Sequence, residues 1–245
     1  MDILLFIISF IASFFLAMGG IGGAIILIPL MISLGIPINT ARPVGLFYNI
    51  VGMTGATVSN IKNKRLDVRT GIPIIISSFL FAVVGAWMSK FIPEKIILIL
   101  FITFLLFSGF MFLFHKKKQD ESYRDDVPYV SLSLIGAFAG LLSGILGIGG
   151  GGIISPLLLM LGFNPKKIAV ITAFVVPFSS LSGFLTYWAM GHVEWRILII
   201  VSIAGYIGAS LGTAFMQNRL EPQTVKKILA GILLIMAGKL LMNIL

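Results

Sequence analysis

Ten apolar runs, separated by short polar breaks, make up nearly the whole chain. They cover residues 3–18, 24–34, 41–61, 71–91, 96–114, 129–146, 153–161, 168–190, 197–216 and 225–245. Most approach the roughly 20 residues that cross a bilayer as α-helix. Two do not: 24–34 and 153–161 reach about half that span at about 1.5 Å per residue. A polar stretch, H-K-K-K-Q-D-E-S-Y-R-D-D at 115–126, divides the runs five and five. The pattern predicts an all-α chain of about ten membrane segments.

The two halves repeat one another. Each short run follows a glycine-rich turn, G-G-I-G-G at 19–23 and G-I-G-G-G-G at 147–152, contains one proline (Pro29, Pro156) and ends at a glycine (Gly35, Gly162). These features lie 127 residues apart, as do Ser9, Ser13 and Ala17 from Gly136, Gly140 and Gly144, Gly85 from Gly212, and Asp67 from Glu194. The chain reads as a tandem duplication: an N-terminal repeat over 1–114, a linker over 115–128 and a C-terminal repeat over 129–245.

Charge decides how the repeats are oriented. If every run crosses, 13 of the 18 Lys and Arg residues fall on one side and five (Arg42, Lys90, Lys95, Arg196, Lys239) on the other. If the short runs dip in and return, the split is about even. The positive-inside rule selects five crossings per half, with both termini outside and the linker inside. An odd number per half inverts the second repeat, and inverted repeats with interrupted segments in matching places characterise secondary transporters.

Composition agrees. The 245 residues are 58% hydrophobic and 11% charged, with a mean hydropathy of +1.07. A soluble domain carries about 25% charged residues, so a soluble fold is excluded. The net charge of +9 sits in short clusters between apolar runs, a membrane-loop pattern that excludes a nucleic-acid groove. Cysteine is absent, which removes disulfides and thiol chemistry. Asp2 stands where a signal peptide carries positive charge, so the first run is expected to be a retained helix.

The candidate chemistry lies in the glycine turns. A short helix starting after such a turn leaves its first N–H groups without intrahelical partners, and the helix dipole adds positive partial charge. At membrane depth these donors must face protein, water or a ligand. Gly20, Gly22 and Gly23 in the first turn, with Gly149, Gly150, Gly151 and Gly152 in the second, are therefore candidates to bind a small anion. The competing reading is that these glycines serve close helix packing. No Lys-Ser or Lys-Thr follows the second turn and no βαβ pattern surrounds it, which excludes a nucleotide loop. The third run of each half is rich in neutral donors. Asn49, Ser179 and Ser180 sit near the middle of these runs and are the candidates to complete the site, against helix–helix hydrogen bonding as the alternative. Arg42, near the start of the first of these runs, either attracts anions or extends toward headgroups.

The nine acidic residues all fall in loops or at segment ends, so no mid-membrane carboxylate is available to relay protons or cations. His115 and His192 lie in polar connections, and no metal or cofactor is expected. Gly136, Gly140 and Gly144, with Ala204, Gly208 and Gly212, form small-residue faces for packing within one subunit, with a homodimer as the secondary reading. Lys116, Lys117 and Lys118 read as an inside loop attracted to anionic headgroups.

The string G-I-L-G-I-G-G-G-G-I-I-S-P-L-L-L-M-L-G-F at 144–163 resembles the repeated signature of the sulfite exporter TauE/SafE family. A degenerate copy, M-G-G-I-G-G-A-I-I-L-I-P-L-M-I-S-L-G, stands at 18–35, and S-S-L-S-G-F-L-T-Y-W-A-M-G-H-V-E-W at 179–195 is also similar. The resemblance implies a multi-pass plasma-membrane (inner-membrane) transporter exporting sulfite, an organosulfonate or another sulfur-containing anion. The first copy departs from the pattern at Ala24, where the second has Gly151 or Gly152, and in an extra Arg42, so unequal half-sites are expected. The combined expectation is a non-enzymatic exporter of a small anion, working by alternating access as its repeats rock around the site. The alternatives are an anion channel or facilitator, and a non-transporting membrane assembly or sensor subunit.

Overall fold

The computed structural model describes residues 2–114, 123–124, 126–191 and 193–242. Among these there are ten α-helices and no strand: α1 (Asp2–Ala17), α2 (Ala24–Ser33), α3 (Ile38–Lys62), α4 (Val68–Met88), α5 (Glu94–Phe114), α6 (Tyr129–Leu146), α7 (Gly151–Met160), α8 (Pro165–Ala189), α9 (Trp195–Arg219) and α10 (Pro222–Met242). Each coincides with one apolar run to within a few residues. Five stretches are long and apolar enough to cross a membrane: Val68–Phe91, Glu94–Phe114, Tyr129–Leu146, Pro165–Ala189 and Trp195–Arg219. Linker residues 115–122 and 125, with His115, Lys116, Lys117 and Lys118, lie outside the described residues, as does His192.

The polarity of the fold is that of a protein solvated by hydrocarbon. Large apolar side chains point outward, with Leu80 59% and Leu134 66% exposed, while Ser13, Asn49, Thr172, Ser179 and Ser180 are buried. The glycines explain how the helices come so close. Gly136 faces the Ile74 backbone, Gly140 faces Ser78, and Gly144 faces Ala82 and Ala86. This ascending register makes α4 and α6 parallel. On the other side, Gly208 lies against the Phe10 backbone and Gly212 against Phe14, so α1 and α9 are also parallel.

Other contacts set the remaining directions. Tyr48 meets Gly205, Gly55 meets Ser210, and Arg65 Nη2 donates to Asn218 Oδ1 at 2.9 Å. Thus α3 runs alongside α9 in the same direction. The Asp67–Lys167 pair (3.5 Å) and the approach of Gly71 to Phe174 make α4 parallel to α8. Burial alone would raise the Asp67 carboxyl, but the Thr70 hydroxyl and the Lys167 ammonium outweigh it and hold it below the usual carboxylate range. Across the middle, α3 and α8 are antiparallel: Leu46 lies against Gly183, and Thr57 Oγ1 donates to Ala173 O at 2.7 Å.

Prolines interrupt several helices, and side chains answer two of the resulting gaps. Pro177 cannot donate to Ala173 O, which is the carbonyl Thr57 reaches. Pro156 cannot donate to Gly152 O, and Ser108 Oγ donates to it at 3.3 Å.

A Cβ on Gly144 would stand 2.3 Å from Ala82 O, whereas one on Gly231 meets nothing within 4 Å. Gly144→Ala is expected to lower stability by about 1–3 kcal/mol through overpacking. Gly231→Ala should be neutral or stabilising by up to about 1 kcal/mol, the helix-propensity difference. Thermal unfolding of both variants in detergent checks the contrast.

Candidate functional site

Both short helices begin inside the protein, and their glycine turns touch. A Cβ on Gly151 would lie 2.6 Å from Gly20 O and 2.7 Å from Ile21 O. Ser155 Oγ reaches across from α7 to Gly19 O at 3.3 Å. The second turn requires glycine for its backbone shape: Gly149 (φ 78°) and Gly150 (φ 71°) are both left-handed, a conformation unfavourable for residues bearing a Cβ. Gly150 is the N-cap of α7 and receives no side-chain cap.

Asn49, near the middle of α3, joins the two turns. Its Oδ1 accepts from Ala24 N at 3.2 Å, capping α2, and its Nδ2 donates to Ile148 O at 2.7 Å. The first turn is further closed by its own backbone, with Gly19, Gly20 and Ile21 all donating to carbonyls at the end of α1. Gly22 approaches Asn49, and Gly23 approaches the Tyr48 hydroxyl, closely enough that a Cβ on either would collide.

Both turns leave amides without an acceptor among the described residues, Gly22 and Gly23 in the first and three consecutive ones in the second. The amides of Ile148, Gly149 and Gly150 donate to no protein acceptor. Around them stand three buried hydroxyls. Ser179 Oγ bonds to Gly149 O at 3.3 Å and Val176 O at 3.2 Å. Ser180 Oγ lies beside Gly149, and Ser143 Cβ lies beside Gly150. The hydroxyls of Ser143 and Ser180 have no hydrogen-bond partner. Both residues are 0% exposed, and a buried polar group without a partner is costly. Unpaired amides, two buried hydroxyls without a partner and a helix N-terminus lie close together here, a group of hydrogen-bond donors that could meet an anion. Among the described residues no three His, Asp or Glu side chains gather as a metal site would need.

The candidate residues thus divide. Gly149 and Gly150 with Asn49, Ser179 and Ser180 form one cluster. Gly151 and Gly152 begin α7 but turn their Cα faces to packing, Gly151 to the first turn and Gly152 to Ile25 and Phe104. Gly20 packs against Thr172 and the Ala169 carbonyl, and Gly22 and Gly23 against α3. Arg42 is separate: it is 3% exposed, its stem packs on Gly147, and its guanidinium turns to the end of α6. Ser143 is the member that residue patterns missed. It follows Gly136 and Gly140 by seven and three residues, on the same helical face, and that spacing was the available signal.

The model of the family described as Sulfite exporter TauE/SafE matches residues 5–240. The chain is 24% identical to the probable membrane transporter protein YunE of Bacillus subtilis, over 98% of this chain and 97% of that one. It is 28% identical to a probable membrane transporter protein of Methanocaldococcus jannaschii, over 95% and 92%. A shorter match, 41% identical over 33% of this chain and 19% of the other, is to Sulfite exporter TauE/SafE family protein 6 of Arabidopsis thaliana.

Asn49 and Ser180 are expected to separate structure from ligand binding. Asn49→Ala removes two buried hydrogen bonds and leaves both backbone partners unsatisfied, a loss of about 2–4 kcal/mol. Ser180→Ala removes a hydroxyl that nothing in the protein uses, so thermal unfolding without ligand should change by less than about 0.5 kcal/mol.

Proposed function

Because the chain belongs to the sulfite exporter TauE/SafE family, a family of multi-pass membrane transporters, we propose that it exports a small oxyanion, sulfite or an organosulfonate, across the plasma membrane. The observation that carries this reading is the open N-terminus of α7. Its amides at Ile148, Gly149 and Gly150, with the Ser143 and Ser180 hydroxyls, offer hydrogen-bond donors to a negative group. Neutral donors and a helix dipole suit an anion that must be held and then released, since no fixed countercharge competes for it. Asn49 acts as a positioning residue, tying the two turns together so that the donors stay converged.

The transport mechanism in this proposal is alternating access within a scaffold of two inverted five-helix repeats. Helix directions support it. α1, α3 and α9 run one way and α4, α6 and α8 the other, so three helices of the first repeat oppose their counterparts 127 residues on. Parallel α1 and α3 also require α2 to bring the chain back, which favours crossing over a dip and return. In this reading the linker lies inside and both termini outside, an orientation that the distribution of Lys and Arg supports. A negative interior favours anion exit by about 2.3 kcal/mol per charge per 100 mV.

Proteoliposomes loaded with radiolabelled sulfite provide the test. Saturable sulfite or sulfonate efflux is expected, with the half-saturating concentration raised about tenfold or more in Ser180→Ala, the scale of one hydrogen bond to a charged group. Gly150→Ala should still insert, because its Cβ meets nothing closer than 3.4 Å, yet lose most flux as the φ of +71° strains the turn. Cation flux without oxyanion flux would overturn the proposal. Single-channel currents would make the protein a channel instead.

A further inference from the structure

A polar cavity of about 280 Å³ lies away from the glycine cluster, between the start of α3 and the segment linking α4 to α5. Arg42 and Tyr187 form its inner wall, and Asn39, Ser89, Lys90 and Glu94 complete its polar lining. Arg42 is buried but meets no carboxylate. Nη1 donates to Ile145 O at 3.3 Å and to Tyr187 Oη at 3.2 Å, Nε donates to Ile38 O at 3.4 Å, and Nη2 donates to Asn39 Oδ1. Its guanidinium also lies 5.3 Å from the centre of the Tyr187 ring. Every partner is neutral, so dipoles solvate the charge without neutralising it. A buried cation in that condition favours an anion beside it. Lys90 is exposed at the rim of the same cavity and makes no ion pair among the described residues. Glu94 is the opposing group: it faces the cavity yet lies beyond 4.0 Å of both cations.

The inner wall also backs on the glycine turn. Tyr187 Oη is 2.9 Å from both Gly144 O and Ser89 Oγ. Together, Arg42 and Tyr187 hold the last carbonyls of α6, immediately before Gly147. These carbonyls carry the negative end of the α6 dipole.

We propose that this cavity is a second anion site, in which an oxyanion of the size of sulfate takes the Arg42 guanidinium in competition with the Ile145 carbonyl, with Lys90 assisting at the rim. An anion here and the α6 carbonyls draw on the same guanidinium, so occupancy loosens the end of α6 that leads into the second turn. Glu94 sets the threshold by repelling the ligand. None of the glycine-cluster residues lines the cavity, so this site stands or falls separately from the one at α7.

Calorimetric titration of the purified full chain with sodium sulfate tests this. Binding is expected that weakens about two- to fivefold in Lys90→Gln, the scale of an exposed charge pair, and strengthens in Glu94→Gln. In Arg42→Gln it should weaken by about tenfold or more, the scale of a charge-assisted hydrogen bond. Should Arg42→Gln fail to fold, the two rim variants carry the test, because neither side chain holds a helix in place. The same binding should survive Ser180→Ala. No sulfate binding, or binding indifferent to Lys90→Gln and Glu94→Gln, overturns the proposal. Binding lost only in Ser180→Ala would overturn it while leaving the α7 site standing.

Discussion

A backbone amide or carbonyl that leaves its helical ladder inside an apolar protein must find another partner. This constraint governs the molecule. Two interrupted helices and several internal prolines release such groups at depth, and the buried polar side chains stand where those groups appear. Thr57 and Ser108 take carbonyls freed by Pro177 and Pro156. Asn49 caps α2 and ties down Ile148. Arg42 and Tyr187 hold the end of α6. Ser9, Asn60, Ser143, Ser180 and Ser202 keep buried side-chain polar atoms without a partner, and of these Ser143 and Ser180 are the two that stand beside the second glycine turn.

The same constraint makes the two halves chemically unequal although their helices correspond. At the first turn, three amides fold back onto α1 and Asn49 caps α2. The second half has Val176 at the position 127 residues beyond Asn49. No side-chain amide stands there; Gly151 N donates instead to Gly149 O at 2.8 Å, and the amides of Ile148, Gly149 and Gly150 have no acceptor among the described residues. One short helix has its first amide capped by a side chain, the other by the backbone of its own turn.

Much of the fold was legible because hydrophobic run length and glycine punctuation are local signals. All ten helices follow from them, and the 127-residue register linked their counterparts. The role of individual glycines was not legible. Gly150 and Gly151 are neighbours in one string, yet one has an open Cα face with left-handed φ and the other packs on a carbonyl of the first turn. Only the approach of a distant segment separates the two cases. Ser143 was hidden for a related reason: a serine in a small-residue stripe reads as packing until the facing turn is known. Arg42 looked like a mouth residue because its run was read from Ala41, whereas α3 starts at Ile38 and turns the side chain inward.

The glycine seams join helices from different repeats. Gly136, Gly140 and Gly144 bind α6 to α4, and Gly208 and Gly212 bind α9 to α1, backbone to backbone. Neither repeat is therefore a body of its own. Cutting the polar linker would not release them, because each half keeps a helix embedded in the other. Moving one half of the sequence against the other would have to part these backbone seams, so the units in which the chain is written and the units in which it packs are different objects.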